Sequence, residues 1–176
     1  MKKYSVIYAD PPWRYDFSKS NSREIENQYP TMMIEEIKNL PINLISDENA
    51  VLYLWATAPK LLEALDVMKA WGFQYKSNCI WDKEIIGMGY WWRGQHELLL
   101  VGTKGKFSPP TQEIRESSVY REKRTKHSKK PSHFRDKIFE YYPDLSKIEL
   151  FSREPIIGWD VWGNEVESDI EIIQKG

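Results

Sequence analysis

The sequence predicts an α/β fold: a mostly parallel β-sheet with helices on both faces. Two observations carry that expectation. Short apolar runs such as Val6-Ile7-Tyr8-Ala9 and Leu98-Leu99-Leu100-Val101 have no polar alternation, so they suit strands buried on both sides. Segments with apolar residues at helical spacing lie among them, and strands that alternate with helices imply parallel connections.

Taken in order, Tyr4 to Ala9 reads as the first strand. Thr31 to Leu40 reads as a helix, with Thr31 as N-cap and Ile34, Ile37 and Leu40 on one face. Ala50 to Trp55 is a strand. Pro59 to Trp71 is an amphipathic helix with Leu61, Leu62, Leu65, Met68 and Trp71 inward, and Gly72 ends it. Tyr75 to Trp81 and Glu97 to Gly102 are strands. Pro131 to Tyr142 is a helix entered through proline, and Lys147 to Phe151 is a strand. Residues 16–28 and 108–129 read as mobile loops, the second carrying a basic run. The acidic tail, 165–176, is expected to fray. No repeat or linker divides the chain, so 1–176 reads as a single domain.

Composition narrows the classes. The 176 residues suffice to bury a real core, and 41% hydrophobic with 29% charged residues is ordinary for a soluble protein. No stretch approaches the ~18 apolar residues of a membrane span, and the N-terminus has no signal-peptide pattern. No membrane partner is expected, and cytoplasmic residence is the default. The single cysteine, Cys79, excludes an internal disulfide or a cysteine zinc cluster. His96, His127 and His133 show no metal-ligand spacing, so no metal is expected. A net charge of -1 announces no nucleic acid, yet it hides a positive patch that acidic stretches offset. Aromatic residues are plentiful, with 8 Trp and 10 Tyr; some serve the core, and others are open to a flat ligand.

In such sheets ligands bind beyond the carboxyl ends of the strands. Asp10-Pro11-Pro12-Trp13 lies at one such end and Ser152-Arg153 at another. Pro11 restricts Asp10 and Pro12 restricts Pro11 to extended backbone, so the turn is stiff. Neither proline carries an N–H. The turn therefore offers acceptors, the Asp10 carboxylate and the backbone carbonyls, next to one large ring. That set suits a flat ligand with an exocyclic amine, as in adenine or cytosine. A proline turn that only ends a strand is the plainer alternative.

Asp10-Pro11-Pro12-Trp13 resembles motif IV of amino-methyltransferases, (D/N/S)PP(Y/F/W). Further blocks follow in order: Tyr29-Pro30-Thr31-Met32, Leu52-Tyr53-Leu54-Trp55, Trp71-Gly72-Phe73, Ile80-Trp81-Asp82-Lys83, Gly94-Gln95-His96-Glu97, Lys130-Pro131, Ile148 to Arg153 and Gly158 to Glu165. With them the chain is similar, over nearly its whole length, to the adenine-N6 methyltransferase family of the eukaryotic mRNA methylase catalytic subunit. It most resembles the small bacterial and phage DNA-methylating members.

The resemblance implies a Rossmann-like methyltransferase fold with circularly permuted motifs, the catalytic one before the cofactor one. It implies S-adenosylmethionine as cofactor and adenine N6 in DNA as target. Asp10 and the Pro11 carbonyl would accept the two N–H bonds of the target amine, Pro12 would stiffen the turn, and Trp13 would stack on or wall in the base. Asp10 would also meet the cofactor's ammonium. Arg153 would hold the cofactor's ribose or carboxylate, its alternative being a salt bridge to Glu149 or Glu154. Asn164 and Glu165 would meet the cofactor's adenine or ribose, with a plain turn as the alternative. Glu154 stands in for ribose contacts that lack a clear equivalent. Lys130 would hold the cofactor carboxylate or a target phosphate, and Tyr29 would close over the cofactor or base. Glu97 would bond a base amine or a structural partner. Arg121, Lys123, Arg124 and Lys126 would meet phosphates, the alternative being a solvated loop. RNA as substrate, cytosine-N4 methylation and an inactive partner subunit stay open. So does a second copy or another subunit that enlarges the recognition surface.

Overall fold

The computed structural model describes residues 1–15, 30–125 and 129–173. Its elements run β1 (Tyr4–Ala9), α1 (Ile34–Lys38), α2 (Ile42–Ile45), β2 (Ser46–Ala56), α3 (Leu61–Ala70), β3 (Gln74–Asp82), β4 (His96–Lys104), β5 (Val119–Arg121), α4 (Ser132–Tyr141), β6 (Lys147–Leu150) and β7 (Asp160–Trp162). All seven strands join one sheet, in the order β5-β3-β4-β2-β1-β6-β7. The pairings of β1 with β2 and β6, β6 with β7, and β3 with β5 are parallel. Only β4 runs against its neighbours, β2 and β3. This is the α/β, mostly parallel sheet that the apolar runs predict, and it agrees with the Rossmann-like fold that the resemblance implies.

The unbroken apolar runs belong to strands covered on both faces. Along β1 and β2, Ile7, Ala9, Leu52 and Leu54 pack under α1, α2 and α3 with Ile37, Val67, Met68 and Trp71. Val6, Tyr8, Val51, Tyr53 and Trp55 face the other way and meet Phe134 and Ile138 of α4.

Four local expectations are corrected. Thr31 is not a helix cap, because the Met32 N–H donates to the Pro12 carbonyl at 2.9 Å and holds this stretch extended beside Trp13. The helix starts later, with the Glu36 carboxylate accepting the Met33 N–H. Leu62 is exposed rather than inward. A 3-10 turn, Ala58–Lys60, precedes α3, and the buried face becomes Ala64, Val67, Met68 and Trp71, which follows helical spacing. Segment 108–129 is no plain loop: it contains β5 and a 3-10 turn, Gln112–Ile114. The tail folds back as far as it is described. The Asp169 carboxylate accepts the Val161 N–H at 2.8 Å, and Ile170 and Ile172 pack on the core. Residues 16–28 lie outside the described residues, apart from which α/β order holds from β1 to β7.

Candidate functional site

A cavity of about 520 Å³ opens at the carboxyl edge of the sheet. Strand ends build it. β1 delivers Asp10 to Trp13, β2 delivers Trp55 to Thr57, β6 leads into Phe151 to Arg153, and β7 leads into Gly163 to Glu165. Because β4 is antiparallel, it presents its first residues at this edge, and Glu97, opposite Trp81, enters the same cavity. Lys130 arrives from the residue before Pro131, the N-cap of α4.

The Asp10 turn is fixed from three sides. The Pro11 carbonyl accepts the Trp13 N–H at 2.9 Å, and the Pro12 carbonyl accepts the Met32 N–H at 2.9 Å. The Trp13 indole N–H donates to the Trp55 carbonyl at 3.1 Å. Trp13 is thus a buried, anchored wall rather than a free platform. The Pro11 carbonyl keeps a second lone pair for a ligand donor.

Charges alternate along the cavity floor. Lys130 Nζ lies 2.9 Å from Asp10 Oδ2 and 3.2 Å from Glu97 Oε2, and Lys83 Nζ lies 3.7 Å from Glu97 Oε1. The Lys130 ammonium also sits 5.5 Å from the centroid of the Trp55 ring, whose indole N–H is held by the Tyr8 hydroxyl at 2.7 Å. Burial pushes the Asp10 carboxyl above its ordinary value, and Glu97 adds to the push. Lys130 and Arg153 pull against it without restoring it. Asp10 still keeps 34% of its side-chain surface open, toward the cavity. Burial also opposes the charge on Lys130, but the two carboxylates outweigh it and hold the ammonium above the usual lysine value. Burial thus favours the protonated acid, while the two carboxylates help the lysine keep its proton. A lysine at a helix start opposes the helix dipole; here its carboxylate partners answer that conflict.

The far side is built differently. Phe151 has a left-handed φ of 60°, a conformation that costs a non-glycine residue about 1–3 kcal/mol. It turns the chain so that the Ser152 N–H donates to the Trp162 carbonyl at 3.0 Å. A Cβ on Gly163 would lie 2.1 Å from the Ser152 carbonyl oxygen, so only glycine permits this approach. Phe151 and Trp162 stand edge to face, with centroids 5.4 Å apart. Arg153 Nε lies 3.9 Å from Glu165 Oε1, and Asn164 lines the cavity beside them.

The structure therefore gathers Asp10, Pro11, Pro12, Trp13, Glu97, Lys130, Arg153, Asn164 and Glu165 around one space. Glu154 is not part of that wall; it pairs with Lys129 at 3.4 Å and Arg135 at 3.5 Å. Arg135 also takes Glu149 at 3.0 Å, and Arg153 approaches Glu165. Arg121 pairs with Asp82 at 3.3 Å, and Lys123 and Arg124 are exposed next to it. Tyr29 and Lys126 lie outside the described residues. His133 bonds Glu116 at 2.7 Å and stacks on Tyr120. Among the described residues, no group of three His, Cys, Asp or Glu side chains is placed to hold a metal, and no helix is long and apolar enough to cross a membrane. Sequence reasoning missed Trp55, Thr57, Phe151 and Trp162. The strand-end rule already applied to Asp10 points to each of them. Lys83, just past the carboxyl end of β3, falls under the same rule, but its partner Glu97 follows only from the direction of β4.

Comparison with known proteins supports the same reading. The MT-A70 family model matches residues 4–165. The chain is 35% identical over 195 residues to the type II methyltransferase M.MunI from Mycoplasma sp, across 99% of this chain and 83% of that protein. It is 29% identical to the human N(6)-adenosine-methyltransferase catalytic subunit METTL3, across 94% of this chain and 28% of the relative. It is 28% identical to the human N(6)-adenine-specific methyltransferase METTL4, across 94% of this chain and 38% of the relative. The family match runs from β1 past β7 and encloses every strand end around the cavity, and the chain belongs to the MT-A70 family of methyltransferases, which take their methyl group from S-adenosylmethionine.

Proposed function

We infer that this protein transfers a methyl group from S-adenosylmethionine to the exocyclic N6 amine of adenine in DNA. The observation that carries the inference is the Asp10 turn: a carboxylate and a stiff carbonyl, walled by Trp13, in a cavity whose opposite side offers Arg153 and Asn164. Likeness to a type II methyltransferase across 83% of its length favours DNA; the adenosine-methylating relative is matched over 28% of its own.

The residues present fit the cofactor. The cavity falls within the ~300–1,000 Å³ typical of small-molecule sites. Asp10 can meet an ammonium, the Arg153 fork a carboxylate or ribose, and the Asn164 amide can both donate to and accept from an adenine edge. Phe151 and Trp162 offer flat walls. When bound, S-adenosylmethionine supplies an electrophilic methyl on a sulfonium.

An adenine amine is a weak nucleophile because its lone pair is delocalised into the ring. Asp10 and the Pro11 carbonyl accept its two N–H bonds, concentrate the lone pair and aim it. As the methyl passes from the sulfonium, which would leave as a neutral thioether, to the amine nitrogen, the Asp10 carboxylate would stabilise the positive charge developing on that nitrogen and receive the departing proton. Lys130 favours the ionised form of Asp10 and holds it in place. Trp13 fixes the plane of the base. Glu97 reaches the base through Oε1, which it shares with Lys83 at 3.7 Å. Lys123 and Arg124 hold phosphates outside the cavity. A chain this small gains reading surface from a second copy or partner subunit, or it tolerates many sequences; cytoplasmic DNA is its proposed setting.

The test is incubation with labelled S-adenosylmethionine and separate DNA and RNA pools, followed by nucleoside analysis. N6-methyldeoxyadenosine is expected. N6-methyladenosine from RNA alone would move the substrate to RNA, N4-methylcytosine would change the base, and no transfer to either pool would leave a binding subunit.

A further inference from the structure

Between β3 and β4 the chain makes a loop that leaves the sheet at the same edge as the cavity. Its neck is fixed. The Lys83 N–H donates to the Gln95 carbonyl at 2.8 Å, and the Gly87 N–H donates to the Gly94 carbonyl at 2.7 Å. The Gln95 amide donates to Asp82 at 2.8 Å, and Arg93 Nε donates to the Gly87 carbonyl at 3.2 Å. A Cβ on Gly89 would lie 2.0 Å from the Trp92 carbonyl oxygen, so the tight tip depends on glycine.

That tip is apolar. Trp91 is 94% exposed and Trp92 89% exposed, and Met88 and Tyr90 stand out beside them. Among the described residues no other stretch exposes three large aromatic side chains in succession. Rings held in water by a braced neck mark a binding surface. The neck also says what kind. The Lys83 carbonyl accepts the Arg124 N–H at 3.3 Å, the Lys83 ammonium approaches Glu97 in the cavity, and Asp82 pairs with Arg121. The aromatic tip, the basic segment and the cavity thus meet at two adjacent residues. Cations match phosphates and rings match base faces.

We propose that Tyr90, Trp91 and Trp92 form a wedge that enters duplex DNA beside the target adenine and fills the stack when that base swings into the cavity. The proposal rests on the DNA-adenine reading above. A stacked, paired adenine cannot reach Asp10; it must be extruded, and extrusion leaves a gap. An inserted ring restores stacking on both sides of that gap, as apolar wedges do between base steps. Arg93 flanks the rings, and Lys123 and Arg124 lie on the strand side of the neck, where the backbone bordering the gap would pass.

The test uses the double variant Trp91→Ala/Trp92→Ala and its conservative partner Trp91→Phe/Trp92→Phe. These side chains are exposed, so a thermal melt and S-adenosylmethionine affinity by calorimetry should match the parent. On mixed-sequence duplex DNA the alanine variant should lose affinity and methylation by about tenfold or more, with an unchanged salt slope because no phosphate contact is removed. The phenylalanine variant should recover most of the loss. Duplexes whose adenines are mispaired, and so already loosened, should suffer less. The wedge is refuted if the alanine variant matches the parent on paired duplex, or loses equally on paired and mispaired duplex. It is also refuted if sedimentation shows a parent dimer that the alanine variant breaks, since a second copy then covers the rings. A parent that neither binds nor methylates DNA removes the DNA-adenine reading itself, and the wedge with it.

Discussion

Asp10 sits where ionisation is disfavoured, and its charge is therefore a cost to the fold. A carboxyl with a raised native value lends stability that is complete below the unfolded value and is lost as pH rises through the native one. Above that native value it lends none. Asp10→Ala is accordingly expected to lower turnover by about 10²–10³, or ~3–4 kcal/mol of transition-state stabilisation, without lowering the melting temperature. Steady-state methylation and a thermal melt check the two halves, and normal turnover in a folded variant would remove Asp10 from the chemistry. Activity should also fall as pH drops through the raised Asp10 value, so the acid limb of turnover lies above the ordinary aspartate range. Lys130→Met removes the cation at 2.9 Å and should move that limb further up, because the cation favours the ionised acid. A pH profile at saturating DNA and cofactor reads the shift, and an unmoved limb would mean that another group titrates. Asp10 was legible from the sequence because a strand end, two prolines and a family motif coincide there. The contact of Lys83 with Glu97 was not, because Glu97 comes to it only through strand reversal.

At the scale of elements, the long apolar strands and α3 and α4 were legible because burial writes itself into periodicity. Three-residue β5 was not. Val119-Tyr120-Arg121 is too short for alternation, and its place is fixed by distant partners. The Ile80 N–H donates to the Ser118 carbonyl at 2.7 Å, the Trp81 indole N–H donates to the Glu122 carbonyl at 2.8 Å, and His133 stacks on Tyr120 at 3.8 Å. This anchoring gives Lys123 and Arg124 a defined position beside Lys83. Lys123→Gln or Arg124→Gln should weaken DNA binding on every sequence and reduce the salt slope by about one each. Arg121→Gln should cost less, since Asp82 already balances part of its charge. Cofactor affinity should not change. Affinity measured against salt decides: an unaltered slope in the Lys123 and Arg124 variants would make the segment a solvated face.

For the whole molecule, cofactor and fold are linked, because the cavity exists only when β1, β2, β4, β6 and β7 are assembled. S-adenosylmethionine, or its demethylated product, at about 100 times its dissociation constant should stabilise the native state by ~2.7 kcal/mol. For a chain of this length that is a rise of about 5–10 °C in melting temperature. Arg153→Ala and Asn164→Ala should reduce the rise, and a parent protein that gains nothing at saturation would exclude this cavity as the cofactor site. The strand order has a consequence in time as well. β1 lies between β2 and β6, and Ser5 bonds Ser146, 141 residues away. A chain leaves the ribosome at about 5–20 residues per second, so Asp10 waits many seconds before the strand that completes its neighbourhood is made. Until then β1 has one bare edge, and the last pairing must close a very long loop. Nascent or clipped chains that stop before β6 thus carry the Asp10 turn without the wall that faces it, and the cavity is incomplete until β6 and β7 have been made.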